Sequence, residues 1–140
     1  MKNNKTVLVC VTPQESSEVL LKAGKAIADE NGAELEIVSV LPFEEGEYRV
    51  DPQVLEKLYQ TARKEGGEMA LYFSDDPILT VTAHTAKRKP ITLVVGFPGE
   101  NSNNFISTIH LLIPDIPISM IDKDSKVYNI LPCEAVQGVR

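Results

Sequence analysis

The stretch VVGFPGENSNNFIS, Val94 to Ser107, holds the residue types in this chain best suited to binding chemistry. An apolar run ends at Gly96, a second glycine follows at Gly99, and a polar segment leads into a helical pattern. Phosphate-binding loops share this plan, because glycine lets backbone N–H groups approach an anion at a helix N-terminus. Asn101, Ser102, Asn103 and Asn104 supply further donors, but neutral amides and hydroxyls hold phosphate less strongly than a cationic cluster. No lysine or arginine lies between Pro90 and Asp122. A second reading accounts for the same residues: Gly96 and Gly99 shape a turn, and Asn101 or Ser102 caps the helix that follows. That second reading is preferred.

Other reactive side chains lack the company their chemistry needs. His84 and His110 have no Cys, Asp or Glu at metal-ligand spacing, so no metal site is expected. Ser16 and Ser17 have no base nearby in sequence and no G-x-S-x-G elbow; they belong to a first helical turn, with donation to a ligand as the alternative. Glu44, Glu45 and Glu47 form a solvated acidic loop, and Lys87-Arg88-Lys89 reads as a solvated helix end that complements the dipole. Adenylating or phosphate-transferring enzymes need a charged lysine, a signature loop or metal-binding acids at strand ends. None is visible, so no catalytic residue is assigned and no enzymatic activity is expected.

The elements that must position these residues follow from composition and periodicity. The chain has 140 residues, of which 43% are hydrophobic, which suits one domain with one core. A net charge of −6, with both signs spread along the chain, argues against a nucleic-acid surface. No apolar run approaches the ~20 residues that cross a bilayer, and MKNNKTVLVCV reads as a first strand rather than a signal peptide. Cys10 and Cys133 lie far apart without a CxxC pattern, so a reduced, cytoplasmic protein is expected. Cys10 reads as a small core residue.

Five β-branched apolar runs stand out: Thr6–Val11, Leu35–Leu41, Met69–Phe73, Ile91–Val95 and Ile116–Ile121. Between them lie four helical patterns, whose apolar faces start at Val19, Val54, Ile78 and Phe105. Thr12-Pro13, Asp51-Pro52 and Asp76-Pro77 each set a capping oxygen before a first-turn proline, with Glu15 completing a capping box after Thr12. Asn31-Gly32 and Gly66-Gly67 supply left-handed stops, and Lys89-Pro90 ends the third helix. The alternation β-α-β-α-β-α-β-α-β predicts a single-domain, open, doubly wound parallel sheet of five strands in the order 3-2-1-4-5, with helices on both faces. This α/β domain spans residues 1–122. The tail, 123–140, includes Val127, Tyr128, Ile130 and Leu131, which suit an added edge strand or a dimer contact. Phe43–Val50 is a polar loop long enough to cover a site.

In such a sheet, ligands bind beyond the carboxyl ends of the strands where strand order reverses. Here that crevice lies between the first and fourth strands. Val11, Thr12 and Pro13 stand on one side, Gly96 and Gly99 on the other, and Ser39 and Val40 form a nearby wall.

The opening KTVLVCVTPQESSEVLLKAGKAIADENGAELEIVSVLP resembles the universal stress protein family, and more closely the universal-stress-like domain of potassium sensor kinases. ITLVVGFPG is similar to that family's fourth strand with its G-x-x-G, and DIPISMI to its proline-led fifth strand, which pairs subunits in many members. The resemblance implies a regulatory or stress-response binding module, a homodimer through the fifth strand, and a signalling-protein partner. Members that bind ATP carry an acidic residue at the end of the first strand and the pattern G-x2-G-x9-G-[S/T]. Here Thr12 and Pro13 occupy the first place, and Ile109-His110 stands where the later Gly-Ser is expected. An isoleucine there sets a side chain where only backbone should approach. ATP binding is therefore expected to be lost or weakened, and no cofactor is certain. The alternative keeps an adenine nucleotide (ATP, AMP or a cyclic dinucleotide) at the Thr12/Gly96 crevice.

Overall fold

Strand-forming and helix-forming runs alternate along the chain, and each adopts the conformation its spacing dictates. A computed structural model describes residues 5–11, 17–41, 43–44, 47–48, 52–97 and 105–132. The elements in chain order are β1 (Thr6–Val11), α1 (Ser17–Asn31), β2 (Glu34–Leu41), β3 (Phe43–Glu44), β4 (Glu47–Tyr48), α2 (Pro52–Lys64), β5 (Glu68–Phe73), α3 (Pro77–Arg88), β6 (Thr92–Gly96), α4 (Phe105–Leu112), β7 (Ile118–Ile121) and β8 (Val127–Ile130). The main sheet runs β5-β2-β1-β6-β7-β8. The five expected strands are β1, β2, β5, β6 and β7, all parallel and in the expected order.

The sheet has six strands, not five. Asp122 turns the chain back after β7: its carboxylate accepts the backbone N–H groups of Asp124 at 2.8 Å and Lys126 at 2.9 Å. Ser125 takes a left-handed conformation in the same turn. β8 then pairs antiparallel along β7, from Ile121↔Val127 to Ile118↔Ile130. The outer edge of the fifth parallel strand, expected to meet a second subunit, is thus paired within the chain. The stretch Phe43–Val50 also departs from a plain loop, since β3 and β4 form a two-stranded antiparallel pair.

The apolar runs of β1, β2 and β6 form strands buried on both faces, while β5, at the sheet edge, stays exposed from Leu71 to Phe73. Odd-numbered residues of β1 and β2 (Val7, Val9, Val11, Leu35, Ile37) pack with Leu21 and Ala28 of α1 and with Leu58 and Ala62 of α2. Even-numbered residues (Leu8, Val38, Val40) pack with Val81 of α3 and Ile109 of α4. One face therefore belongs to α1 and α2, the other to α3 and α4.

The punctuation works as its chemistry predicts. Asp76 accepts the Leu79 N–H at 3.1 Å ahead of Pro77. Gly32 and Gly66, at φ +62° and +81°, end α1 and α2 in the left-handed conformation. Lys89 does the same for α3 at φ 49°. Gly67 serves a different purpose: a Cβ there would lie 2.4 Å from Ile37 Cδ1, so its absence lets the chain pass close to β2. Thr12 and Glu15, read as a capping box, and Asp51 lie outside the described residues.

Candidate functional site

The crevice between the first and fourth parallel strands is created by a change of partners. β1 and β6 pair only as far as Val9↔Val94. Beyond that point each follows its outer neighbour, β1 to Val11↔Ser39 and β6 to Gly96↔Ile121. The two central strands thus separate at their carboxyl ends, where a doubly wound sheet opens.

Four expected site residues are described there, and strand periodicity sorts them. Val11, Ser39 and Gly96 fall on the face packed by α1, in three adjacent strands. Val40 falls on the opposite face, among the residues that pack with α3, and its side chain is not part of that group. Thr12, Pro13, Gly99, Asn101 and Ser102 lie outside the described residues.

Two features within the group are not explained by packing. The Ser39 hydroxyl is fully buried and has no hydrogen-bond partner among the described residues; such an orphan costs roughly 1–3 kcal/mol. Gly96 has no positive φ, and a Cβ added to it would meet only Leu20 Cδ1, at an ordinary 3.7 Å. Neither backbone conformation nor crowding requires glycine at that position. Next to Gly96, Phe97 packs against Tyr128 of β8, with ring centroids 4.8 Å apart.

A second cluster was hidden from sequence reasoning. Arg88 is exposed at the helix end, as expected, and also reaches back from α3 to Glu36 in β2, with its Nε donating to Oε1 at 3.0 Å and its Nη2 donating to Oε2. This bidentate pair lets a carboxylate sit almost buried on a sheet face. One turn earlier, His84 Nδ1 meets the Tyr72 hydroxyl at 2.8 Å. Burial holds the His84 imidazole below its ordinary value; Glu36 opposes that shift, while Arg88 and Lys87 reinforce it. The open groove between α3 and the edge strand β5 measures about 210 Å³. Glu36 and Arg88 are 52 residues apart, and no local spacing joins them.

Burial pushes the Cys10 thiol up to about 12, consistent with a core role; Cys133 lies outside the described residues. No group of three or more metal-ligating side chains occurs among the described residues, and no helix among them is long and apolar enough to cross a membrane.

Neither a family model nor a curated protein sequence matches the chain. Solved structures do match its fold. A universal stress protein from Archaeoglobus fulgidus superposes with a TM-score of 0.62 at 19% identity, over 83% of this chain and 92% of that one. A universal stress protein in complex with cAMP gives 0.62 at 16% identity, over 84% and 96%. The Archaeoglobus fulgidus universal stress protein in complex with dAMP gives 0.58 at 18% identity, over 83% and 96%. The fold is the one these universal stress proteins share.

Proposed function

We propose that this chain is a non-catalytic, universal-stress-type regulatory module whose ligand site is the crevice between β1 and β6, with ATP binding lost or weakened. The observation that carries the reading is the parting of β1 and β6 on a universal-stress fold, with Val11, Ser39 and Gly96 on one face of the opening. The weakness toward ATP follows from charge. No lysine or arginine lies between Pro90 and Asp122, so the β6–α4 connection offers a triphosphate no cation. The reading takes in the cytoplasmic setting expected from the two cysteines, and the homodimer and signalling-protein partner that the likeness to universal stress proteins implies.

A second reading keeps an adenine mononucleotide. The cAMP and dAMP complexes of similarly folded proteins favour it, as does the orphan hydroxyl of Ser39, whose cost a ligand hydrogen bond would offset. Thermal unfolding with millimolar Mg-ATP, AMP or cAMP separates the two. A ligand at about 100 times its Kd adds about 2.7 kcal/mol, a shift of several degrees. The first reading expects no shift with ATP. The second expects one with AMP or cAMP that Gly96→Val removes while leaving the unliganded midpoint nearly unchanged. An ATP shift as large as that of AMP sinks the claim of lost ATP binding. Steady phosphate release abolished by Gly96→Val sinks the non-catalytic one.

A further inference from the structure

The helix α1 packs on β1, β2 and β6. Between its C-terminal turn and the strands β6, β7 and β8 lies a groove of about 470 Å³. Its floor is a line of polar side chains, one from each of three adjacent strands: Thr92 of β6, Ser119 of β7 and Asn129 of β8. The Thr92 and Ser119 hydroxyls lie 2.8 Å apart, Thr92 also reaches the Pro117 carbonyl at 3.2 Å, and Ser119 donates to Asn129 Oδ1 at 3.0 Å. Both hydroxyls are more than nine-tenths buried.

A hydroxyl has one proton and two lone pairs. The Ser119 proton is used on Asn129, and the Thr92 proton is used on Pro117 or Ser119. Asn129, whose Oδ1 is taken by Ser119, keeps its Nδ2 as the floor's donor; what remains of the two buried hydroxyls is acceptor capacity. The rim has the same character. Asn31 Nδ2 donates to the Ile27 carbonyl at 2.8 Å, which leaves Oδ1 as an acceptor. Glu30 lines the groove in a last turn of α1 that holds no basic residue, while Asp29 beside it is paired with Lys25 at 3.2 Å. A helix C-terminus is the negative pole of the macrodipole, normally complemented by cations. Ile27, Ile91, Val127 and Leu131 supply apolar walls around these acceptors.

We infer that this groove binds a small organic ammonium: a cationic, donor-only head directed at Glu30, Asn31 and the hydroxyl floor, with an apolar body against the aliphatic walls. The groove takes in none of the crevice residues Val11, Ser39 and Gly96, although Val127 stands in register with Ile121 and Gly96.

Hexylammonium is the probe, with hexanol and hexanoate as neutral and anionic counterparts, followed by amide shifts in two-dimensional NMR of the full chain. Hexylammonium shifts the amides of Asn31, Ser119 and Asn129 saturably, with a Kd of about millimolar. Hexanol and hexanoate bind more weakly. Glu30→Gln, at an exposed position, lowers hexylammonium affinity by about tenfold, and Ser119→Ala lowers it with the fold retained. Three results overturn the inference: no saturable shift, hexanol binding as well as hexylammonium with no sensitivity to Glu30→Gln, or shifts confined to the Val11/Gly96 end.

Discussion

His84 shows how a neighbourhood changes what one residue contributes. In the folded chain its imidazole is partly withdrawn from water and held against Tyr72, so the neutral form is favoured and the pKa falls below 6.5. The unfolded chain, with an ordinary imidazole, binds the proton more readily. Between 6.5 and the lower folded value the unfolded state carries more protons, so stability rises with pH across that window. Put the other way, the contribution is complete above 6.5 and is lost as pH falls through the folded value. Urea unfolding followed from about pH 7.5 down to about pH 5 reads this directly. The wild type loses stability over the range, and His84→Gln flattens the slope. Equal slopes in the two proteins would assign the effect to the carboxylates instead.

The elements themselves meet most closely where α1 crosses β1. Gly24 lies in the middle of that helix, where glycine costs about 1 kcal/mol against alanine. A Cβ at Gly24 would lie 2.3 Å from Val9 Cγ2, and valine is stiff at χ1 and cannot swing away. Overpacking of this kind costs typically 1–3 kcal/mol, so it outweighs the helix gain. Gly24→Ala is expected to lower the urea midpoint by an amount equivalent to roughly 1 kcal/mol, and a rise in that midpoint would show that α1 can move off the sheet. Signals of this local kind were legible in the sequence: Asp76 before Pro77, the left-handed stops at Gly32 and Gly66, and the five apolar runs that became parallel strands. What lay beyond reach depends on distant partners. β8 needs the edge of β7 to exist as a strand, and Arg88, solvated as expected of a helix end, gains its bond across the sheet only because Glu36 waits there. The parting of the two central strands was legible from the strand order alone. The split of Ser39 and Val40 between opposite faces follows from the strand's period of two, which sets sequence neighbours on opposite sides of the sheet.

At the scale of the whole molecule, β8 decides how two copies can meet. With β6 on one side and β8 on the other, β7 has no free backbone edge, so a dimer built by extending this end of the sheet must use the outer edge of β8. Natural edge strands are usually guarded by charges, prolines or bulges against such pairing. From Val127 to Leu131 there is no charged residue, and Val127, Tyr128 and Leu131 are 42%, 38% and 73% exposed. A two-fold axis would set this uncharged strand antiparallel to itself, and each copy would cover the other's apolar side chains. The homodimer proposed above is therefore expected to form through β8, with a mass twice that of the 15.4 kDa chain in sedimentation equilibrium. Lysine at two exposed edge positions, Val127→Lys with Leu131→Lys, brings like charges together across the axis and yields monomer with an unchanged circular dichroism spectrum. A wild type that stays monomeric at high concentration, or a double variant that stays dimeric, removes β8 as the contact; in the monomeric case β8 caps the edge of the sheet and keeps other chains off β7.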